Sequence, residues 1–147
     1  MRIVKDGGIP DEDALRKDLT AYFRRTMERD RLAAWLSLDG GKPVASAALR
    51  IDRARLRAGA GAAASPNNPA AKASRLEGYV MSVYTAPSHR GRGLARTLLD
   101  LLLEEARIRN LLRLRLHPTE DGRPLYLKLG FRDFRGTMVL RLPSAGR

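Results

Sequence analysis

The chain is expected to fold as an α/β domain, and three stretches predict it. Tyr79 to Thr85 is rich in β-branched and aromatic residues, and runs through a glycine- and arginine-rich turn into a leucine-rich helix ending near Arg107. Two apolar runs, Ala33–Leu38 and Val44–Ile51, flank Asp39-Gly40-Gly41-Lys42-Pro43, a hairpin signal because glycine supplies the positive φ that tight turns demand. Leu111 to Leu116 interleaves leucine with arginine, as a strand with one buried face does.

Taken in order, Asp11 to about Asp30 has helical spacing. Leu15, Leu19, Tyr22, Phe23 and Met27 share a face, and Asp11, Glu12 and Asp13 gather where the helix dipole stabilises negative charge. The hairpin strands follow. Arg53 to Arg75 is then alanine- and glycine-rich around Ser65-Pro66-Asn67-Asn68-Pro69 and is expected as a flexible insertion between two strands. Glu77 opens the central strand and Pro87 ends it, because proline has no N–H for a ladder. Leu94, Leu98, Leu101, Leu102 and Ala106 give the next helix its apolar stripe, widened by Leu99 and Leu103. His117-Pro118 closes the alternating strand. Asp121 is placed to cap a short helix through Leu129, and Gly130 to end it in the left-handed conformation, with Phe131 opening the next strand. Thr137–Leu142 forms a last strand before a frayed tail. No repeat or boundary interrupts 1–147, which reads as one domain.

Composition narrows the function. With 147 residues there is one core, and no apolar run approaches the ~18 residues of a membrane span. The absence of cysteine removes disulfides, thiolate metal sites and cysteine nucleophiles, and two histidines are too few for a histidine-based zinc site, so no metal is expected. The N-terminus lacks a signal-peptide core, and a cytoplasmic location is the expectation. A net charge of +12 attracts anions and keeps nucleic acid open as a partner, although 5% aromatic content leaves few rings for stacking bases.

The turn itself carries chemistry. Glycines between strand and helix let the backbone approach a ligand, and the first amides of the helix favour an anion, here ringed by Arg90, Arg92 and Arg96. Neither G-x-G-x-x-G nor the P-loop pattern is present. Arg90-Gly91-Arg92-Gly93-Leu94-Ala95 resembles instead the pyrophosphate-binding signature R/Q-x-x-G-x-G/A of the GNAT superfamily of N-acetyltransferases. A second block, PLYLKLGF from Pro124 to Phe131, is similar to another family signature at the family's spacing, and the pattern of elements covers roughly Leu32 to Leu142.

That resemblance implies a mixed, mostly antiparallel sheet flanked by helices, with a splayed central strand pair. It implies acetyl-CoA as co-substrate and direct transfer of its acetyl group to a primary amine in a ternary complex. Val83, Tyr84 and Thr85 would bind the pantetheine arm as if it were another strand, and Arg90, Gly91, Arg92, Gly93, Leu94 and Ala95 would hold the pyrophosphate. Thr119 stands where many relatives carry asparagine against the pantetheine. Tyr126, at the family's tyrosine position, would protonate the leaving thiolate, since a phenol near ~10 outlasts a thiol near ~8.5. The general base stays open between Glu77, His117, neighbouring Glu120 and a water relay. The N-terminal helix would border the acceptor. A small-molecule or peptide amine is the expected acceptor, a homodimer is compatible with the sequence, and no membrane partner is expected. A basic module of the same fold that binds nucleic acid or senses acyl-CoA is the competing reading.

Overall fold

A computed structural model describes residues 12–53 and 76–143. The chain divides into two compact units, one through Leu32 and one from Ala33 onward. The first holds helix α1 (Glu12–Glu28), and Asp30, at φ +53°, turns the chain out of it. The insertion expected over 53–75 lies outside the described residues, apart from Arg53 at the end of a strand.

The second unit is built on six strands in the spatial order β1-β2-β3-β4-β6-β5: β1 (Leu32–Asp39), β2 (Lys42–Arg53), β3 (Leu76–Thr85), β4 (Arg113–Leu116), β5 (Arg132–Phe134) and β6 (Thr137–Arg141). The sheet is mixed, as expected. β2–β3, β4–β6 and β5–β6 pair antiparallel, and β3–β4 pair parallel. Gly40 and Gly41 join β1 to β2 with φ of +55° and +80°, the conformation that two-residue hairpin turns require. Helix α2 (Leu94–Ile108) connects β3 to β4, as a parallel pair demands a crossover. The short helix α3 (Arg123–Lys128) follows β4.

Alternation puts Leu49 and Ile51 of β2, Gly78 and Val80 of β3, Leu114 and Leu116 of β4, and Met138 of β6 on one face of the sheet. These join Leu98, Leu99, Leu102, Leu103 and Ala106 of α2 in a single core with Phe131. Gly78 is required by close approach: a Cβ there would lie 2.5 Å from Leu114 Cδ2 and 2.6 Å from Leu49 Cδ1. The opposite face carries Arg50, Asp52, Glu77, Tyr79, Arg113 and Arg115.

The alternation of β3 resets within the strand. The β2–β3 register runs Ala48↔Met81 and then Ser46↔Tyr84, so Ser82 and Val83 both stand opposite Ala47. This is a β-bulge, with Ser82 at φ +54° and its carbonyl accepting a 2.7 Å hydrogen bond from Ser46 Oγ. Ser82 is exposed while Val83 packs on the core, so the buried face passes from even to odd residues.

Among the boundaries that differ from the sequence expectation are those at the starts of β4, β3 and α3. β4 begins at Arg113 because Leu111 donates back to Ala106 O, closing the end of α2. β3 begins at Leu76, ahead of Glu77. Asp121 does not cap α3: its N-cap is Gly122, whose amide bonds to Thr119, and no side chain caps the helix. Gly130 does end it with a positive φ of +94°.

Gly78→Val should overpack the core. The colliding atoms are leucine methyl groups in fully packed surroundings, so the core yields with strain, and a loss of about 1–3 kcal/mol is expected. Urea denaturation should show a lower midpoint at unchanged slope.

Candidate active site

The site begins where two strands part. β3 and β4 pair only from Glu77↔Arg113 to Tyr79↔Arg115, after which β4 ends at Leu116 and His117-Pro118 leads away while β3 continues to Thr85. Ala86 N donates to Val44 O, on the β2 side. Strand alternation therefore turns the N–H and C=O of Thr85, and those of Val83, toward the open side. Thr85 Oγ1 is buried and has no hydrogen-bond partner among the described residues. The gap is thus lined by polar backbone.

A cleft of about 670 Å³ fills this gap and extends to the start of α2. Its walls bring together ten of the residues expected from sequence: Val83, Tyr84 and Thr85 from β3, Arg90, Gly91, Gly93, Leu94 and Ala95 from the turn, and Thr119 and Tyr126 from the other side. Arg92 is not on the wall. Its guanidinium donates to Ser88 O at 3.1 Å and braces the turn from outside.

The turn is built to receive an anion. Gly91 and Gly93 have φ of +72° and +78°, and a Cβ on either would meet nothing within 4 Å, so backbone conformation is what requires glycine there. Gly93 is the N-cap of α2, no side chain caps it, and no acidic residue occupies the first turn. The leading amides are open to a ligand carrying negative charge. A missing cap costs about 0.5–2 kcal/mol, whereas each buried leucine of α2 contributes about 1.5–3 kcal/mol. Four such leucines hold the helix in place despite its uncapped end. Arg90 Nε donates to Thr85 O at 3.2 Å, which ties the turn to the strand end, and Arg96 lies on the wall while pairing with Asp100 at 3.0 Å.

Tyr126 is 7% exposed and belongs to both core and cleft. Its ring meets Phe131 edge-on at 5.8 Å between centroids. Gly122 lets α3 close on it, since a Cβ there would be 3.1 Å from Tyr126 Cε2 and 3.0 Å from Thr119 Oγ1. Burial raises the Tyr126 phenol above its ordinary value of 10, because the phenolate would lose hydration. Thr119 Oγ1 accepts from Gly122 N at 3.2 Å, so its own O–H stays available to donate.

Of the candidate bases, Glu77 lies on the opposite face of the sheet and His117 just beyond the end of β4, and neither they nor Glu120 is on the cleft wall. Glu77 is held by Arg113 Nε at 2.6 Å, with Arg115 at 3.5 Å. His117, exposed at the end of β4, has Nδ1 2.6 Å from the Tyr79 hydroxyl, at the point where the strands separate. His89, Asp121 and Leu125 also line the cleft. His89 Nε2 is 2.9 Å from Asp39 Oδ2 in the hairpin turn, which with its charge lowers the Asp39 carboxyl below its ordinary value. Sequence reading passed over His89 because its partner is fifty positions away. No group of three or more His, Asp or Glu side chains converges as a metal site among the described residues, and none of their helices is long and apolar enough to cross a membrane.

A family model described as the acetyltransferase (GNAT) family matches residues 6–131. A predicted acetyltransferase from Clostridium acetobutylicum, solved with acetyl-CoA, is similar with a TM-score of 0.67 and 31% identity over 93% of this chain and 79% of that one. A Trypanosoma brucei acetyltransferase structure gives 0.63 and 25% over 94% and 84%. A glucosamine 6-phosphate N-acetyltransferase of Trypanosoma brucei brucei is 35% identical over 71 residues, 48% of each chain, so the match spans about half the length of that curated relative.

Since the native state holds the Tyr126 proton more tightly than the unfolded chain does, the stability this contributes is complete below pH ~10 and is lost as pH rises through the raised native value. In an ultraviolet titration of tyrosinate, Tyr126→Phe should remove amplitude from the part of the curve above the ordinary tyrosine range. Amplitude lost at or below that range would show an exposed phenol.

Proposed function

Because the chain belongs to the acetyltransferase (GNAT) family, we propose that it moves the acetyl group of acetyl-CoA to the primary amine of a small molecule by direct transfer in a ternary complex. The observation that carries this reading is the cleft, which joins an uncapped helix start, an unpaired strand edge and a buried tyrosine in one space. When bound, acetyl-CoA supplies an activated acyl group as a thioester. The residues present suit it: the amides of the α2 start and Arg90 for the pyrophosphate, and the open edge of Val83 to Thr85 for the pantetheine amides.

The roles follow from position. An N–H of the β3 edge donates to the acyl carbonyl oxygen, where negative charge grows as nitrogen attacks. His117, oriented by Tyr79, takes the proton that the amine loses. We assign Glu77 to holding Arg113 and Arg115 in preference to proton transfer, because its carboxylate is engaged by both guanidiniums and it is not on the cleft wall. Tyr126 gives its proton to the departing sulfur, and its burial keeps the phenol protonated until the thiolate leaves. The absence of cysteine agrees with a route without a cysteine acyl-enzyme.

Thioester turnover with a panel of small amines tests the activity. Tyr126→Phe keeps the ring and removes the hydroxyl, so kcat under single-turnover conditions should fall roughly 10- to 1000-fold with little change in coenzyme affinity. A kcat within about twofold of the parent would assign Tyr126 to packing. Gly93→Glu forces a side chain into a positive φ and sets a carboxylate beside the expected pyrophosphate. Calorimetry should show acetyl-CoA affinity reduced tenfold or more in a chain that circular dichroism finds folded.

A further inference from the structure

The face of the sheet opposite α2 is laid out in rows across adjoining strands. The row nearest the parting reads Arg50–Tyr79–Arg115, and the next reads Asp52–Glu77–Arg113–Arg141. Four arginines thus share two carboxylates. Arg50 pairs with Asp52 at 2.9 Å, and its guanidinium lies 5.1 Å from the centre of the Tyr79 ring. Glu77 gives its close contact to Arg113 and reaches Arg115 Nη1 only at 3.5 Å. Arg115, 40% exposed, has most of its donors unspent, and the excess positive charge is concentrated beside it.

His117 lies two residues further along the chain from Arg115, at the mouth of the parting. At the strand rise of ~3.3 Å per residue, Arg115 is about 7 Å from the position where the amine would lose its proton. We propose that the acceptor is an amine bearing a phosphate or carboxylate about 7 Å from its nitrogen, with Arg115 holding that anion and Arg50 beside it. This specificity rests on the acetyl-transfer reading. A guanidinium with free donors on a half-exposed sheet face recognises such an anion in forked geometry, and a neutral amine leaves it unmatched. The cluster is two rows deep and partly neutralised from within, which suits a single small anion better than a polyanion.

The test uses the full chain, acetyl-CoA and two matched pairs of amines: glucosamine with glucosamine 6-phosphate, and 5-aminopentanamide with 5-aminopentanoate. In at least one pair the anionic member should show kcat/KM tenfold or more above its neutral partner, and the responding pair distinguishes phosphate from carboxylate. Arg115→Gln should raise KM for that member roughly 10- to 100-fold, with kcat changed less than threefold. Arg115→Lys should retain part of the preference, Arg50→Gln should weaken it, and Arg141→Gln, a row further from the parting, should leave both KM values within twofold. Equal use of charged and neutral members, or an equal loss for both in Arg115→Gln, overturns the proposal and leaves acetyl transfer standing. If acetyl-CoA binds by calorimetry and none of the four amines is turned over, their Kd values for the CoA-loaded protein decide by the same tenfold ratio. Failure to bind acetyl-CoA at all overturns the underlying reading, and the specificity with it.

Discussion

The early end of the β3–β4 ladder is the constraint from which the rest of the site follows. Two parallel strands that pair for three residues and then separate leave amides and carbonyls that the sheet itself does not satisfy. Most proteins would cover or twist away such an edge. Here the bulge at Ser82 sends β3 onward with its polar groups facing the gap, and His117-Pro118 takes the partner strand away. The open edge is therefore held by the fold on both sides, and a ligand with amides of its own can complete it.

The same division of labour governs α2. Its buried leucines fix the helix against the sheet, which frees its N-terminus from structural duty and leaves the amides uncapped. The turn ahead of it is braced by three contacts: Arg92 to Ser88, Arg90 to Thr85, and His89 to Asp39 across to the hairpin. Three separate anchors hold a loop whose own residues are mostly exposed. A binding loop gains affinity when its conformation is set before the ligand arrives, because ordering then costs less.

Much of this was legible in the sequence for a physical reason. The Gly40–Gly41 hairpin, the stripe of α2, the alternation of β4 and the glycine at position 130 are local rules written in consecutive residues. The turn from Arg90 to Ala95 and the block containing Tyr126 were legible as family patterns, and the cleft draws them together from positions thirty residues apart. What escaped was non-local or a competition between near equals. Asp121 is a good capping residue, yet the tight approach of Gly122 to Thr119 and Tyr126 decided the start of α3. The His89–Asp39 and His117–Tyr79 contacts depend on sheet register, and no window of sequence contains both partners. The bulge left no mark either, because a serine between methionine and valine looks like any other strand residue.

That bulge also determines what kind of change the central strand can accept. Because Ser82 and Val83 share one place opposite Ala47, the strand carries one residue more than regular alternation needs. Losing Ser82 would set Val83 directly after Met81, and Val83 and Thr85 would still face the gap. The bend and added twist that a bulge gives its strand would go, and with them the direction in which the open edge leaves the sheet. What Ser82 contributes to the site is the course of the strand beyond it.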